Sequence, residues 1–290
     1  MAQQASHKPV FPKELAPYID VAAYLLDARA PAATLYLDDL LVGKELLILT
    51  RSQLADSRAS SSWQAMFQDH GYRCMIVDSV TGTGFDAILD YLAELLKRKS
   101  AVAEQRGVKN VALRMVALGV PNVGKSTFLN KLIGRRKLKT GDKPGITRGR
   151  QWVRLFEDVE VLDTPGVLRD APGFKRRKPV WMLLNLMPYD SALREESVEL
   201  LLERSGSRGR RRIAKFYKLE QNALDDTDWL RSLELIGKSR GIKVNNDDAL
   251  DRAARMLIRD FCRARFGRFS LEQPGEAKIS SPLFRQPPPR

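Results

Sequence analysis

The sequence predicts an α/β domain that is followed by a small all-helical C-terminal domain. As far as Asp163, short apolar runs such as ELLILT, LRMVALG and VEVLD each end in a turn, as the buried strands of a parallel sheet do. Beyond Lys178, apolar residues recur at helical spacing, and the polar runs Asp225–Asp228 and Asn246–Asp248 stand where helices begin. We therefore predict an α/β domain over residues 14–170, a helical domain over 180–270, and flexible tails at 1–13 and 275–290.

The composition suits an ordinary globular protein. The 290 residues are 43% hydrophobic, and no apolar run approaches the roughly 20 residues that span a bilayer. The first residues have neither an apolar core nor an arginine-rich amphipathic pattern, so we expect no export or import signal. Cys74 and Cys262 lie far apart and have no metal-ligand spacing. We expect a cytoplasmic chain with reduced thiols, no membrane segment and no stable homo-oligomer.

The charge is less ordinary than the composition. Lysine and arginine exceed aspartate and glutamate by 14. An excess of this size favours a polyanionic partner, and nucleic acid before other polyanions.

A phosphate-binding loop lies in the middle of the chain. The residues from Gly119 to Ser126, GVPNVGKS, match the G-x-x-x-x-G-K-[ST] pattern, with a strand before them and a helix after them. The backbone N–H groups of such a loop surround phosphate oxygens, the lysine binds the β- and γ-phosphates, and the hydroxyl of Ser126 ligates Mg²⁺. The residues predicted to line this part of the site are Pro121, Asn122, Val123, Gly124, Lys125, Ser126 and Thr127.

Two later segments complete a predicted phosphate and metal site. Asp163 ends a strand and is followed by Thr-Pro-Gly166, so its carboxylate suits Mg²⁺ and the N–H of Gly166 suits a γ-phosphate. The loop between the phosphate-binding loop and Asp163 contains Thr147, whose hydroxyl is a further candidate ligand for Mg²⁺. Lys125, Thr147 and Gly166 are the candidate catalytic residues.

The order of the motifs is rotated. After Gly166 no strand ends in an N-K-x-D sequence, the element that reads guanine in GTPases. Two candidate base-binding turns instead precede the phosphate loop: Thr50-Arg51-Ser52-Gln53 after ELLILT, and Ser79-Val80 after CMIVD. The sequence therefore predicts a circularly permuted P-loop GTPase domain.

The chain resembles the circularly permuted GTPases of ribosome assembly, and most closely the bacterial RbgA/YlqF group. The resemblance covers residues 15 to 274 and includes DVAAYLLDARAP, the Ser79 turn, GVPNVGKSTFLNKL, KTGDKPGITRGRQWV, LDTPGVL and RDFCRARFGRFSLEQP. It implies an enzyme that binds GTP or GDP with Mg²⁺, hydrolyses GTP, and acts on the large (50S) ribosomal subunit precursor and its rRNA.

The base-reading turn departs from the family. Where the family has Asn-Lys-x-Asp, the chain has Thr50, Arg51, Ser52 and Gln53. Hydrogen bonds to a charged acceptor contribute roughly 1.5–3 kcal/mol each, so guanine selectivity should fall by about one to two orders of magnitude. Asp56 is a weak candidate for a substitute, because the strand end fixes the register of the turn.

The residues expected to take part in hydrolysis also differ from those of the family. The residue after Gly166 is Val167, and the Pro-Gly-His-Met stretch of the family is missing; His7 lies out of register, and His70 is best interpreted as a helix end. In related GTPases an asparagine at the position of Asn122 helps to bind K⁺, but the residue could also form a turn, and both interpretations stay open. We expect slow hydrolysis that the ribosome stimulates.

Two basic clusters predict contact with a polyanion. Arg252, Arg255, Arg259 and Arg263 follow helical spacing along one face, and the apolar residues Leu250, Leu257 and Phe261 take the opposite face. The second cluster contains Arg204, Arg208, Arg210, Arg211, Arg212 and Lys215. Aromatic residues do not alternate with the arginines, so we expect recognition of rRNA shape and not the stacking of single-stranded bases.

Two other functions remain open from the sequence. In a pseudo-GTPase the nucleotide would be structural and the basic helices would do the work, and the departures at Gln53 and at the missing histidine favour that reading. A nucleotide-promiscuous NTPase acting on RNA would follow from Gln53 alone.

Overall fold

The computed structural model describes residues 11–36, 41–109, 111–140, 152–156, 158–163 and 174–275. Within these ranges the strands are β1 Val21–Asp27, β2 Glu45–Thr50, β3 Arg73–Ile76, β4 Leu113–Leu118, β5 Trp152–Phe156 and β6 Val159–Asp163. The α-helices are α1 Pro31–Thr34, α2 Ser57–Asp69, α3 Phe85–Gln105, α4 Lys125–Thr140, α5 Phe174–Leu183, α6 Arg194–Phe216, α7 Trp229–Ser239 and α8 Asp247–Cys262. Ala16–Tyr18 and Ser191–Leu193 form short 3₁₀ helices.

The strands form one sheet in the order β3-β2-β1-β4-β6-β5, in which only β5 is antiparallel to its neighbour. Strands β2 and β3 extend the sheet on one side of β1, and strands β6 and β5 extend it on the far side of β4. The crevice at the carboxyl ends of β1 and β4 is therefore a topological switch point, where open α/β sheets bind their ligands. This sheet confirms the predicted α/β class.

The alternation of side chains along β1 places a core on each face of the sheet. Val21, Ala23 and Leu25 pack in the core on the face that carries α3 and α4. Ala22, Tyr24 and Leu26 pack on the other face with residues of α2. All seven residues of β1 are buried, as expected for a central strand that is covered on both sides.

The helical region begins earlier than the sequence predicts. Helix α5 starts at Phe174, between the predicted α/β domain (14–170) and the predicted helical domain (180–270), and Pro179 lies within the helix. The indole Nε1 of Trp181 donates a hydrogen bond to the carbonyl of Ala33 (2.8 Å). Apolar residues of α5, α6, α7 and α8 belong to the same core as α3 and α4. The two predicted domains therefore share a continuous core.

Helix α6 is kinked near its middle. It runs from Arg194 to Phe216 with one non-helical residue, Gly206, at φ 54° and ψ 179°. Glycine tolerates this positive φ, so the chain changes direction there between two helical segments. The predicted caps of the later helices are confirmed, because Asp228 and Asn246 accept N–H bonds from the first turns of α7 and α8.

The C-terminal segment returns to the α/β domain. The N–H of Phe269 donates to the carbonyl of Leu54 (3.0 Å), and the N–H of Leu271 donates to the carbonyl of Arg29 (2.7 Å). Glu272 follows, and its carboxylate accepts the N–H groups of Ala32 and Ala33 at the start of α1. At the other end of the chain, Phe11 is buried although the sequence assigns it to a tail.

Candidate functional site

The phosphate loop turns sharply out of β4. Gly119 has φ 151°, and a Cβ atom at this position would lie 2.7 Å from the carbonyl oxygen of Leu25, so only glycine fits. Helix α4 then begins at Lys125, whose Nζ donates to the carbonyls of Gly119 (3.0 Å) and Val120 (3.1 Å). The lysine is thus held over the concave side of the loop, where phosphate oxygens would be its stronger, charged acceptors.

Two of the candidate metal ligands come from neighbouring elements, the first turn of α4 and the end of β6. Ser126 and Thr127 are exposed in the first turn of α4. Asp163 ends β6 and pairs with Ala117 on β4, two residues before Gly119, so the backbone places it beside the phosphate loop. A hydroxyl and a carboxylate at this edge fit Mg²⁺, which prefers a few oxygen ligands together with water and phosphate. Thr147 and Gly166 lie outside the described residues.

The turn after β2 is bonded to the phosphate loop. Thr50 is buried, and its hydroxyl lies 3.0 Å from the carbonyl oxygen of Leu26 and 3.3 Å from that of Val123. Arg51 has a positive φ of 57° and donates to the carbonyl of Asn122. The structure therefore brings the predicted base-reading turn and phosphate loop together, although β1 separates their strands.

A buried ion pair at the end of β1 supports both loops. Asp27 is fully buried and binds the guanidinium of Arg29 through both of its oxygens, at 2.9 and 2.8 Å. Arg51 adds a third contact to the same carboxylate at 3.2 Å. Burial alone would raise the pKa of Asp27, but the Arg29 guanidinium overcomes this effect and holds the pKa below its ordinary value. Both residues lie in the family-like segment DVAAYLLDARAP, but the sequence alone does not indicate their role.

Gln53 has the most unusual surroundings in the base-reading turn. Its amide oxygen Oε1 is buried and accepts no hydrogen bond from the residues that the structure describes. Asp56, the alternative acceptor, caps α2 by accepting the N–H groups of Arg58 (2.9 Å) and Ala59 (3.0 Å). The capping role removes Asp56 from the candidate base-binding groups, and His70 similarly ends α2, as the sequence predicts.

The loop after β3 is shaped by an aspartate that the sequence analysis missed. Asp78 is buried, and its carboxylate accepts the N–H of Val80 (2.7 Å) and the hydroxyl of Thr81 (2.8 Å). Lys131 of α4 donates to the carbonyl of Val80 (3.0 Å), which ties this loop to the helix that carries the phosphate loop. Ser79 is half-buried and Val80 is exposed at this edge. An aspartate before a Ser-Val-Thr-Gly turn was the available signal.

The nucleotide-side loops are also bonded to the helical region. The side-chain nitrogen Nδ2 of Asn122 donates to the carbonyl of Leu186 (3.0 Å). Arg29 and Arg51 both donate to the carbonyl of Leu184, at 3.2 and 3.1 Å. We call residues 184–186, which follow α5, the connecting turn. It receives hydrogen bonds from the phosphate loop, from the base-reading turn and from the loop after β1.

The four arginines of α8, Arg252, Arg255, Arg259 and Arg263, form an exposed surface that we call the arginine face. The two acids nearest to it on α8 are engaged elsewhere. Asp251 pairs with Arg194 (2.6 Å), and Asp260 accepts the hydroxyl of Tyr217 (2.9 Å). In the part of the chain that the structure describes, none of the four arginines forms an ion pair, so the face keeps its positive charge.

The second basic cluster is divided by the structure. Arg208 and Lys215 are exposed on α6, Arg204 is exposed near Glu272, and Arg211 lies 3.8 Å from Asp225. Arg210 instead donates to the carbonyls of Leu202, Leu224 and Asp225, and Arg212 donates to that of Arg268. Arg210 therefore stabilises the bend of α6 through its Nε and Nη1 donors, which bind carbonyls within the protein.

None of the described helices is long and apolar enough to cross a membrane.

Comparison with known proteins places this geometry in a family. A family model described as 50S ribosome-binding GTPase matches residues 114–203. Ribosome biogenesis GTPase A of Bacillus pumilus is 32% identical over 88% of this chain and 91% of its own, and the protein of the same name from Thermotoga maritima is 27% identical over 90% of this chain and 89% of its own.

A solved structure described as GDP-bound YlqF of T. maritima has the same fold. It aligns with a TM-score of 0.60 and 23% identity, and the alignment covers 91% of this chain and 99% of that one. The phosphate loop, the permuted order of the strands and the extent of these similarities lead to one conclusion: the chain is a GTP-hydrolysing member of the ribosome biogenesis GTPase A family.

Proposed function

We propose that this GTPase docks on precursors of the large ribosomal subunit when GTP is bound, and that hydrolysis releases it. The names of its relatives support a ribosomal partner. A cytoplasmic location follows from such a partner. The contact surface in this proposal is the arginine face together with Arg204, Arg208, Arg211 and Lys215, which would bind rRNA phosphates and position the protein without reading sequence.

The proposed switch depends on the connecting turn. Its two carbonyls accept hydrogen bonds from Asn122 of the phosphate loop and from Arg51 of the base-reading turn. The turn continues from α5, which packs against α6 and α8. A nucleotide that reorients either loop changes these bonds, so the position of the basic helices would depend on the nucleotide state.

The phosphates would be held by the backbone of residues 119–126 and by Lys125, which exchanges its two carbonyl acceptors for phosphate oxygens. Ser126, Asp163 and Thr147 would hold Mg²⁺, which supplies positive charge to the γ-phosphate when bound, and the N–H of Gly166 would contact the γ-phosphate. Ser79, Val80, Thr50, Arg51 and Gln53 would border the base.

A monovalent cation is a further candidate at Asn122. The Nδ2 atom of Asn122 donates a hydrogen bond to the carbonyl of Leu186, and this bond orients the side-chain amide. The amide oxygen is the atom that would ligate K⁺. Hydrolysis that is faster in K⁺ than in Na⁺ supports this role, and equal rates leave Asn122 as a linker between the loop and the connecting turn.

Co-sedimentation with precursor subunits tests the proposal. Purified protein is mixed with large-subunit precursors in the presence of a non-hydrolysable GTP analogue, GDP or no nucleotide, and the bound fraction is measured. We expect most binding with the analogue, and rapid loss of binding when GTP replaces it. Equal binding in all three states would contradict the switch, and Lys125→Ala serves as the control that removes nucleotide binding while the basic helices stay intact.

Gln53 supports a second proposal, that the site selects guanine less strongly than its relatives with aspartate do. A neutral amide offers one acceptor for the guanine edge, and Asp56 is committed to capping α2. Displacement of fluorescent GDP by ATP, compared with displacement by GTP, measures the selectivity. If the affinities for GTP and ATP are nearly equal, the enzyme is nucleotide-promiscuous. If the affinity for GTP exceeds that for ATP by more than about 10⁴, the site must contain another acceptor, and the proposal is contradicted.

A further inference from the structure

We infer that a cleft between α8 and the end of α5 binds one unstacked nucleotide of single-stranded RNA. The inference rests on the proposed function, because it assigns a ligand to part of the arginine face. The cleft has a volume of about 460 Å³, within the roughly 300–1,000 Å³ of sites that hold small ligands. Residues of the connecting turn and its neighbours form one wall, and α8 forms the other.

The rim of the cleft is cationic. Arg255, Arg259 and Arg263 line it from successive turns of α8, and all three are exposed. Their spacing of four residues places the side chains in one row, about 6 Å apart. Consecutive phosphates of a single strand fit such a row, because the guanidinium groups form charged hydrogen bonds with phosphate oxygens.

The floor of the cleft is apolar, which a site for phosphate alone would not require. Met182 and Ile258 are buried at its base, and Met187 and Cys262 are partly exposed above them. A nucleobase presents two apolar faces, and single-stranded bases gain stability by packing them against protein. A base that leaves the stack would cover the floor while its phosphates remain at the rim.

The wall adds the planar and polar groups that a base needs. The guanidinium of Arg255 lies 3.8 Å from the centre of the Tyr189 ring, so the two form a stacked planar surface. The ring is fixed from its other end, because its hydroxyl donates to Asp251 (2.8 Å). Asn185, exposed in the connecting turn, places an amide beside the cleft for the edge of a base.

This arrangement changes an expectation from the sequence. Tyr189 and Arg255 are far apart in the chain, and only the packing of α5 against α8 brings them together. Recognition of duplex shape alone would use the rim and leave the floor empty. The buried apolar residues in the lining therefore favour a single-stranded ligand over a duplex.

Fluorescence anisotropy with three labelled probes tests the site: a uridine hexamer, an abasic hexamer with the same phosphates, and a six-base-pair RNA duplex. Arg259→Ala removes a charge from the rim, and Arg252→Ala removes a matched charge from the same helix outside the cleft. Asn185→Gly removes the amide without changing charge, and glycine tolerates the φ of 56° at this position.

We expect the wild type to bind the uridine hexamer at least about fivefold more tightly than the abasic hexamer or the duplex. Arg259→Ala should lose at least about fivefold in affinity for the uridine hexamer, against about twofold for Arg252→Ala. Asn185→Gly should reduce the preference for the uridine hexamer over the abasic one. With the duplex, the two arginine variants should behave alike.

Equal affinity of the wild type for all three probes, or equal losses in the two arginine variants with the uridine hexamer, overturns the inference. Displacement of the bound hexamer by hexa-aspartate at equal concentration also overturns it, because an acidic peptide would then be as good an occupant. The proposed function fails separately: it fails if the wild type and a variant that carries both Arg252→Ala and Arg259→Ala bind precursor subunits equally well.

Discussion

The arginines at the end of β1 and the arginines of α8 have opposite surroundings. Arg29 is buried against Asp27, and it also contacts the carbonyl of Leu184 and, at 5.7 Å, the ring of Phe261. The residues of the arginine face are exposed, and none of them has an ion-pair partner among the described residues. The same side chain thus joins internal elements in one region and presents charge to a partner in the other.

This comparison shows why charge patterns alone do not locate a binding surface. A guanidinium in low dielectric needs a paired carboxylate and hydrogen bonds to carbonyls, and it then supports the position of the loops around it. A guanidinium in water costs little to leave unpaired and remains available to phosphate. The variants below break or sharpen this distinction, beginning with the largest expected effect.

Arg29→Ala should produce the largest change. It leaves the contact to Arg51 as the one ion pair of the fully buried Asp27, beside the bond from the backbone N–H of residue 29, and removal of one partner from a buried pair costs about 3–5 kcal/mol. Urea unfolding measures the free energy, with Arg252→Ala as the matched control, for which we expect a change within about 0.5 kcal/mol. Similar losses in the two variants would show that burial does not separate these arginines.

Gln53→Asp should tighten guanine binding. The carboxylate supplies a charged acceptor for two donors of the guanine edge, and charged hydrogen bonds contribute about 1.5–3 kcal/mol, or roughly 10–150-fold in affinity for GDP. Calorimetric titration with GDP and ADP measures the change. Gln53→Asn is the control, since it shortens the amide without adding charge and should give no gain; a gain with asparagine would point to space, and not charge, as the limiting factor.

The sequence predicted more of the phosphate site than of its support. The glycine, lysine and serine positions of residues 119–126 carry their chemistry in a local pattern, and the strands that flank them follow from apolar runs. The bonds to the connecting turn join residues that are far apart in the chain: Arg29 and Leu184 are separated by 155 positions. No local pattern reports such a contact, just as none reports the position of Tyr189 beside Arg255.

The same limit applies to the segment between the two predicted domains. Two prolines around a basic run are typical of a linker, and the proline rule argues against a helix through Pro179. In the structure, the packing of Val180, Trp181 and Met182 into the shared core outweighs the lost backbone hydrogen bond. The burial of these side chains in the core therefore determines that the segment is helical. The local sequence pattern contains no information about that burial.

Glu272 extends the comparison to a half-buried carboxyl group that is held mainly by backbone N–H groups. Burial raises its pKa from an ordinary value of 4.5 to about 7, so between these values the folded chain binds a proton that the unfolded chain releases. The contribution to the unfolding free energy is therefore complete below pH 4.5 and declines as the pH rises through 7. We expect a decline of about 1–2 kcal/mol after allowance for the solvent that reaches this half-buried side chain.

Glu272→Gln isolates this effect, because the amide does not titrate. The difference between the unfolding free energies of the wild type and the variant should change between pH 5 and pH 8, in the direction of a relatively less stable wild type at the higher pH. A constant difference across that range would show that the N–H bonds from Ala32 and Ala33 balance the cost of burial.

Arg210 and Arg208 give the smallest and most direct test, because they lie two residues apart in the same basic cluster and have different surroundings. Arg210 donates to the carbonyls of Leu202, Leu224 and Asp225, whereas Arg208 is exposed on the same helix. Arg210→Ala should cost about 1 kcal/mol of stability, and Arg208→Ala should change stability by less than about 0.5 kcal/mol while it lowers RNA affinity. Salt titration separates the two roles further: the slope of log affinity against log salt should fall by about 0.7 for Arg208→Ala on a single strand and stay unchanged for Arg210→Ala. If both variants lost slope equally, Arg210 would have to leave its carbonyl partners on binding, and the distinction between internal and external arginines would hold only for the unbound protein.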